Sequence, residues 1–272
     1  MAASTGGVPH ALNDLSLLRQ MPNVLRARGF RLYLADGRRL VDLWLNGGAA
    51  VLGHTPANQL RELKNTASRG LYAPFPHFTE SRYLKALSKL FPGRVFRLYA
   101  APPRGMEEFF KDRKAALWRP YYDSANPFAS DETPLLVPVL PGIQTWNDNL
   151  PYGLCIAAFK SEEEQSQFPP SSSLSPILLA VAARGVYDIL ASPQRAKLNM
   201  PRIMKALKNS KWKRQGIYLT LKKEPASDEW TALFHCFLEA GFLLPPTFAQ
   251  PLILPGELSD GEEAKLAAVL RN

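Results

Sequence analysis

The sequence predicts an α/β chain, and three observations carry that expectation. Helical apolar patterns and short strand-like runs alternate along the chain. A hairpin signal opens the series, with Asp36-Gly37 set between two runs that read as strands. Two apolar runs of strand length, Leu135–Leu140 and Gly153–Phe159, sit in the middle and are followed by a strong helix pattern.

Taken in order, the first thirty residues read as a helical lead-in, with Leu12, Leu15 and Leu18 on one stripe. Arg31-Leu32-Tyr33-Leu34 alternates, Ala35-Asp36-Gly37-Arg38 turns, and Arg39 to Trp44 continues as a strand. The turn calls for positive φ, which glycine supplies. Asn46-Gly47-Gly48 and Gly53-His54-Thr55-Pro56 are backbone-permissive loops. A helix is expected from Pro56 to Ser68 with Leu60, Leu63 and Ala67 inward. A second runs from Thr79 to Leu90 on Tyr83, Leu84, Leu87 and Leu90, with Thr79 as N-cap.

Arg94–Tyr99 reads as a strand and Gly105–Trp118 as one helix. Pro138 inside Leu135–Leu140 predicts an edge or strand-end position, because proline donates nothing to a ladder. Residues 161–173 form a polar, Ser/Pro-rich linker. Ser175-Pro176 then opens a helix whose apolar positions are Ile177, Leu178, Val181, Val186, Ile189 and Leu190, stopped by Ser192-Pro193. The remainder reads as helix, strand (Ile217–Leu221), helix (Asp228–Ala240), two short strands (Phe242–Leu244 and Pro251–Leu254) and a terminal helix. Ser259 and Glu262 give that last helix a capping box.

Composition narrows the function classes. The chain has 272 residues, enough for one large core or two smaller ones. No apolar run reaches membrane-spanning length and no secretory signal opens the chain, so a cytoplasmic protein is expected. Cys155 and Cys236 lie in apolar contexts and read as reduced, buried thiols. The formal charge of +9 permits nucleic-acid or anionic partners. Its densest group, Lys205, Lys208, Lys211, Lys213 and Arg214, reads as a solvated face, and no nucleic-acid-binding signature accompanies it.

His10, His54, His77 and His235 have no metal-site spacing. His235 reads as packed core and His54 as structural. His77, in the rigid aromatic loop Pro74-Phe75-Pro76-His77-Phe78, could edge a pocket. Glycine fingerprints for phosphates or dinucleotides and the nucleophile elbow of hydrolases do not occur.

The order of segments carries more than any one of them. Asp36-Gly37-Arg38, Gly47-Gly48, Gly53-His54 with Pro56, Leu90-Phe91-Pro92-Gly93-Arg94, Asn149-Leu150-Pro151-Tyr152-Gly153 and the Ser175-Pro176 helix follow one another. This order resembles a class III aminotransferase of the fold-type I pyridoxal-phosphate family. The resemblance is strongest over residues 30–100 and 150–190. It implies a reduced fold-type I architecture. Residues 1–80 and 193–272 would form a small domain from both termini, and residues 81–192 a shortened central sheet domain. It also implies an active site at a homodimer interface.

The departures fall on the chemistry. The cofactor's lysine position falls near Gln144, and no lysine lies between Lys114 and Lys160. Gln cannot form the Schiff base, and Lys160 is a weak alternative. The phosphate-binding turn would be replaced by Ala100-Ala101-Pro102-Pro103-Arg104-Gly105, where two prolines remove N–H donors. Too few residues separate Trp118 from Pro151 for the elements that carry the pyridine-binding Asp, and Asp131 reads as a turn. The substrate-carboxylate Arg has no evident counterpart.

The sequence therefore reads first as a non-catalytic homologue without bound cofactor, in a ligand-binding or protein-interaction role. A minimal transaminase holding pyridoxal phosphate in an unconventional site stands second, and nucleic-acid binding third. By the resemblance, Trp44, Asn46, Gly47, Gly48, His77, Gln144, Trp146 and Asn147 would line the vestigial cleft. They either pack where the cofactor sat or leave space for a small molecule.

Overall fold

A computed structural model describes residues 16–122, 133–147 and 150–271. Leu12, Leu15, His10, Asp131 and the side chain of Asn147 lie outside that set.

The chain begins with one helical turn, α1 (Ser16–Arg19), then three antiparallel strands, β1 (Val24–Arg28), β2 (Arg31–Leu34) and β3 (Arg39–Asp42). Leu17 is the buried residue of α1, with Leu18 only partly covered. The Asp36-Gly37 turn forms as expected, with Gly37 at φ 85 and Asp36 accepting from Arg38. The helical lead-in expected up to residue 30 stops at α1, and Val24–Arg28 is the strand β1 instead. It is an exposed edge with Arg26 and Arg28, and an edge without a buried face shows no alternation.

α2 (Ala57–Ala67) and α3 (Thr79–Leu90) follow and pack on a later helix. In α2 the buried positions are Gln59 and Thr66, while Leu60 is 36% exposed, so the expected apolar face is rotated. In α3, Thr79 is the first helical residue rather than the cap. Its backbone N–H and hydroxyl both meet His77 Nδ1.

The central sheet has the order β4 (Val95–Tyr99), β9 (Cys155–Phe159), β6 (Leu135–Pro138), β5 (Ala115–Trp118). Residues 105–118, expected as one helix, divide into α4 (Met106–Lys111) and β5. Arg113 adopts φ 57 and turns the chain, and Ala115–Trp118 then gains a parallel ladder against β6 that a solitary helix end could not offer. Pro138 is the last residue of β6, opposite Trp118. β7 (Thr145–Asn147) and β8 (Leu150–Tyr152) form a small separate hairpin.

Residues 161–173 are not uniformly irregular, because Ser161 and Glu164 build a capping box on α5 (Glu162–Ser166). α6 (Pro176–Leu190) is the spine of the central region. Ser175 caps it, and most of its side chains are buried between the sheet and α2 and α3. Gly185 lets it press on the Pro141 carbonyl, where a Cβ would come within 2.5 Å.

The last part holds α7 (Pro201–Leu207), the ribbon β10 (Trp212–Gln215) and β11 (Tyr218–Leu221), α8 (Ser227–Glu239), β12 (Phe242–Leu243), β13 (Leu252–Ile253) and α9 (Asp260–Val269). Sequence reading missed β10. β12 adds in parallel to β3, pairing Phe242 with Val41 and Leu243 with Asp42. One apolar core thus joins Leu32, Leu40 and Leu43 from the start of the chain to Phe234, Phe237, Phe242 and Leu266 from its end. Cys155 is buried, whereas Cys236 is exposed and His235 only partly covered, contrary to the core positions expected for both. Among the described residues no helix is long and apolar enough to cross a membrane.

A polar link reinforces that junction. Arg31 donates to both oxygens of Glu262, at 3.0 and 2.7 Å, and Glu262 also completes the α9 capping box with Ser259. Hydrogen bonds from Arg31 hold the Glu262 carboxyl down at about 2, against an ordinary value of 4.5. The folded value lies below the unfolded one. The link therefore stabilises the fold fully above the unfolded value and loses that contribution as pH falls toward about 2. With solvent screening of a partly exposed pair, Glu262→Gln should cost about 1–2 kcal/mol at neutral pH. Melting temperatures of wild type and Glu262→Gln should differ at pH 7 and converge in acid; a gap constant from pH 7 to pH 2 would refute the linkage.

Candidate functional site

The centre of the molecule is organised by one buried carboxylate at the end of β3. Asp42 Oδ1 accepts from the backbone N–H of Trp44 (2.8 Å) and of Leu45 (2.9 Å), and Oδ2 faces His54 Nε2 at 2.8 Å. The chain then takes a left-handed course through Leu45 (φ 48), Asn46 (φ 49) and Gly47 (φ 64). Two consecutive non-glycine residues in that region are strained, so the fixed hydrogen bonds around them are needed to hold the path. His54 closes the loop, its backbone N–H donating to Gly29.

This loop presents Asn46 and Gly47 to the segment after β6. Asn46 Nδ2 donates to the Gln144 carbonyl at 3.0 Å, and Trp146 Nε1 donates back to the Asn46 carbonyl at 2.9 Å. The Trp146 indole lies so close over Gly47 that a Cβ there would sit 2.3 Å from the ring. Gly48 packs on Val139 more loosely, where a Cβ would sit 3.2 Å from its Cγ1. Gln144 is 6% exposed; its amide donates to the Leu154 carbonyl at 3.0 Å, and its Oε1 has no partner among the described residues.

Of the residues singled out from sequence, Asn46, Gly47, Gln144 and Trp146 thus form one connected cluster, and Gly48 lies beside it. The Trp44 indole donates to Gln250. Trp44 and Asn46 border an open pocket of about 530 Å³ whose wall also includes Asp42, His54, Leu18 and Leu243. His77 is elsewhere. It stacks on Phe78 with ring centroids 4.0 Å apart and serves the start of α3. Lys160 follows β9 on an exposed surface, its backbone N–H bonded to Pro134 and Glu164. Six residues of extended chain, roughly 20 Å, separate it from Leu154, where Gln144 is held.

Sequence reading missed Asp42 and Arg119. Asp42 had a signal, since an aspartate inside a strand pattern needs a buried partner set. Arg119 had none in a chain with 33 Lys and Arg. It follows the end of β5, is 7% exposed, and places its guanidinium 6.0 Å from the centroid of the Trp146 ring. Burial lowers its pKa from the ordinary arginine value. Arg195 is similarly buried. It donates from Nε to Val51 and from Nη2 to Leu254, with Nη1 unpartnered among the described residues, and burial brings its pKa down to about 10. Tyr218, whose hydroxyl donates to the Pro120 carbonyl at 2.7 Å, feels both guanidiniums.

No protein-family model matches the chain. An uncharacterized protein of Treponema pallidum is 25% identical over 289 residues, covering 88% of this chain and 91% of its own. An uncharacterized protein of Borreliella burgdorferi is 24% identical over 276 residues, covering 95% of both. Among solved structures, the chain is similar to Plasmodium falciparum ornithine delta-aminotransferase, with a TM-score of 0.62 at 13% identity over 91% of each chain. Acetylornithine aminotransferase from Elizabethkingia anophelis gives 0.60 at 12% identity, over 91% of this chain and 92% of that one. An omega-transaminase from Sphaerobacter thermophilus gives 0.60 at 10% identity, over 92% and 90%. The architecture is that of the pyridoxal-phosphate-dependent aminotransferases in shortened form, and at these identities the likeness is one of fold.

The Trp146–Gly47 contact can be tested directly. Gly47→Ala adds a methyl into the indole at a positive φ and should destabilise by about 2–4 kcal/mol. Adding Trp146→Ala should recover part of that loss, because the clash goes with the ring. Denaturant melts of the two single variants and the double give the coupling; strictly additive losses would show that the ring does not press on Gly47.

Proposed function

We propose that this chain is a non-catalytic, aminotransferase-like binding protein that lacks a Schiff-base lysine and works without pyridoxal phosphate. The observation that carries this reading is the cluster just described. An indole rests on Gly47, and the Gln144 side chain is committed to the Leu154 carbonyl. The residues present do not suit the cofactor. Lys160, the lysine offered from sequence, projects from the far end of β9. The segment after β4 carries Pro102 and Pro103, and the helix it enters, α4, has six residues beginning with a fully buried Met106. Such a short helix with few free N–H groups is a poor phosphate cradle.

What favours binding over a purely structural role is the open 530 Å³ pocket beside the cluster, with apolar walls and the Asp42–His54 pair at its base. A homodimer belongs to the same proposal. It is supported by the exposed side chains of Tyr72, Phe75 and Phe78 in the loop before α3. Sedimentation velocity returning only monomer would remove it.

Purified protein incubated with pyridoxal phosphate and then borohydride should carry no phosphopyridoxyl lysine by peptide mass spectrometry. A stoichiometric adduct on one lysine would overturn the reading. Gln144→Lys should not create such an adduct either. It buries an ammonium where an amide was hydrogen-bonded, and should cost about 2 kcal/mol or more of stability.

A further inference from the structure

The guanidinium of Arg119 has no polar partner among the described residues. The residue as a whole is more than nine-tenths buried, yet among the described residues it makes no hydrogen bond and no ion pair. Its neighbours are the π face of Trp146 and the phenol side chains of Tyr122 and Tyr218. A largely desolvated cation without an anion is costly, and the face of one indole at 6.0 Å returns only part of that cost. Arg195 worsens the imbalance. Its own bonds run to two carbonyls rather than a carboxylate, and it acts on the same Tyr218 hydroxyl as Arg119. Two buried positive charges therefore share one region without a compensating negative charge among the described residues.

The position in the fold points the same way. β5 and β6 are parallel and end together at Trp118 and Pro138. Arg119 is the next residue after β5, and Trp146 comes from the segment that follows β6. The crevice beyond the carboxyl ends of parallel strands is where open α/β sheets hold ligands. Trp146 is held there by Asn46, whose carbonyl accepts from the indole Nε1.

We infer that Arg119 is the anchor of an oxyanion site: it binds the phosphate or carboxylate group of a small ligand at the β5–β6 crevice, with Arg195 adding to the positive potential. This inference deepens the binding reading above and rests on it. The planar fork of arginine suits a two-point contact with either group, which a lysine would reduce to a point charge. The aromatic surface of Trp146 beside it gives the rest of the ligand an apolar face to lie on.

The test uses the full chain and two probes, inorganic phosphate and acetate, titrated at ionic strength held constant with chloride. Melting temperature and titration calorimetry are the readouts. Wild type should gain stability with one of the two probes beyond the chloride control, and which one does so identifies the ligand group. Arg119→Met should abolish that gain and should itself melt no lower than wild type in anion-free buffer, because an unpaired buried charge is replaced by a thioether of similar volume. Arg119→Lys should weaken the probe by about tenfold, the loss of one charge-assisted hydrogen bond. If neither probe stabilises wild type, or if Arg119→Met responds as wild type does, the site is not there. If Arg119→Met does not fold, the wild-type titration and Arg119→Lys still decide. The borohydride result is independent of all of these. A lysine adduct removes the non-catalytic reading whatever phosphate does, and a failed anion titration leaves that reading standing.

Discussion

The arrangement at the centre of this protein depends on the hydrogen bonds of Asp42. One carboxylate accepts from two successive backbone N–H groups and pairs with His54, and so fixes a left-handed path through Leu45, Asn46 and Gly47 that few sequences would adopt unaided. Asp42 is itself fixed because β3 is gripped on one side by β2 and on the other by β12. The parallel pairing with β12 can form only when the end of the chain has returned to its beginning. The geometry of the central loop is thus coupled to closure of the core that unites both termini. Local strain at the loop is offset by a long-range contact.

From that loop outward, each contact sets the next. Asn46 can hold the Gln144 carbonyl only because its backbone is left-handed, and the absence of a side chain at Gly47 admits the Trp146 indole. Trp146, in turn, sets its ring 6.0 Å from the guanidinium of Arg119. Gly185 contributes from the other side. It allows α6 to touch the Pro141 carbonyl and so fixes the start of the segment that carries Gln144 and Trp146. A void at this place would cost stability in proportion to its size. An indole wedged between a glycine and a guanidinium is an economical way to occupy it.

Much of the frame was legible from sequence because it rests on local signals. The Asp36-Gly37 turn, the Ser175 cap with Pro176, and the Ser259–Glu262 capping box each satisfy backbone groups within a few residues. The α/β class followed from their order. What could not be read depended on partners far along the chain. β5 is a strand because β6 lies beside it, and β1 is an exposed edge without periodicity. α2 turned Gln59 and Thr66 inward because Asn58 reaches Asp188 on α6, a tertiary bond that a hydrophobic count ignores. The cluster of Asn46, Gly47, Gln144 and Trp146 was anticipated through the order of family-like motifs. His77 was not part of it, because its ring serves a helix start instead.

Arg119 shows where reading a sequence by resemblance stops being informative. Departures from a familiar pattern mark the places where a resemblance fails, as at Gln144 and at Pro102-Pro103. They do not show what the chain binds at those places, because that is set by net charge in a small volume. Around Arg119 the balance is one-sided. The tyrosines nearby stay neutral, with burial pushing Tyr121 up to about 12 and Tyr218 upward as well, so they cannot offset the guanidiniums by ionising. Neutralising an arginine by proton loss is equally remote, since even the lowered value for Arg195 is about 10. With both internal routes closed, the charge of this crevice can be balanced only by an anion brought in from outside the described residues.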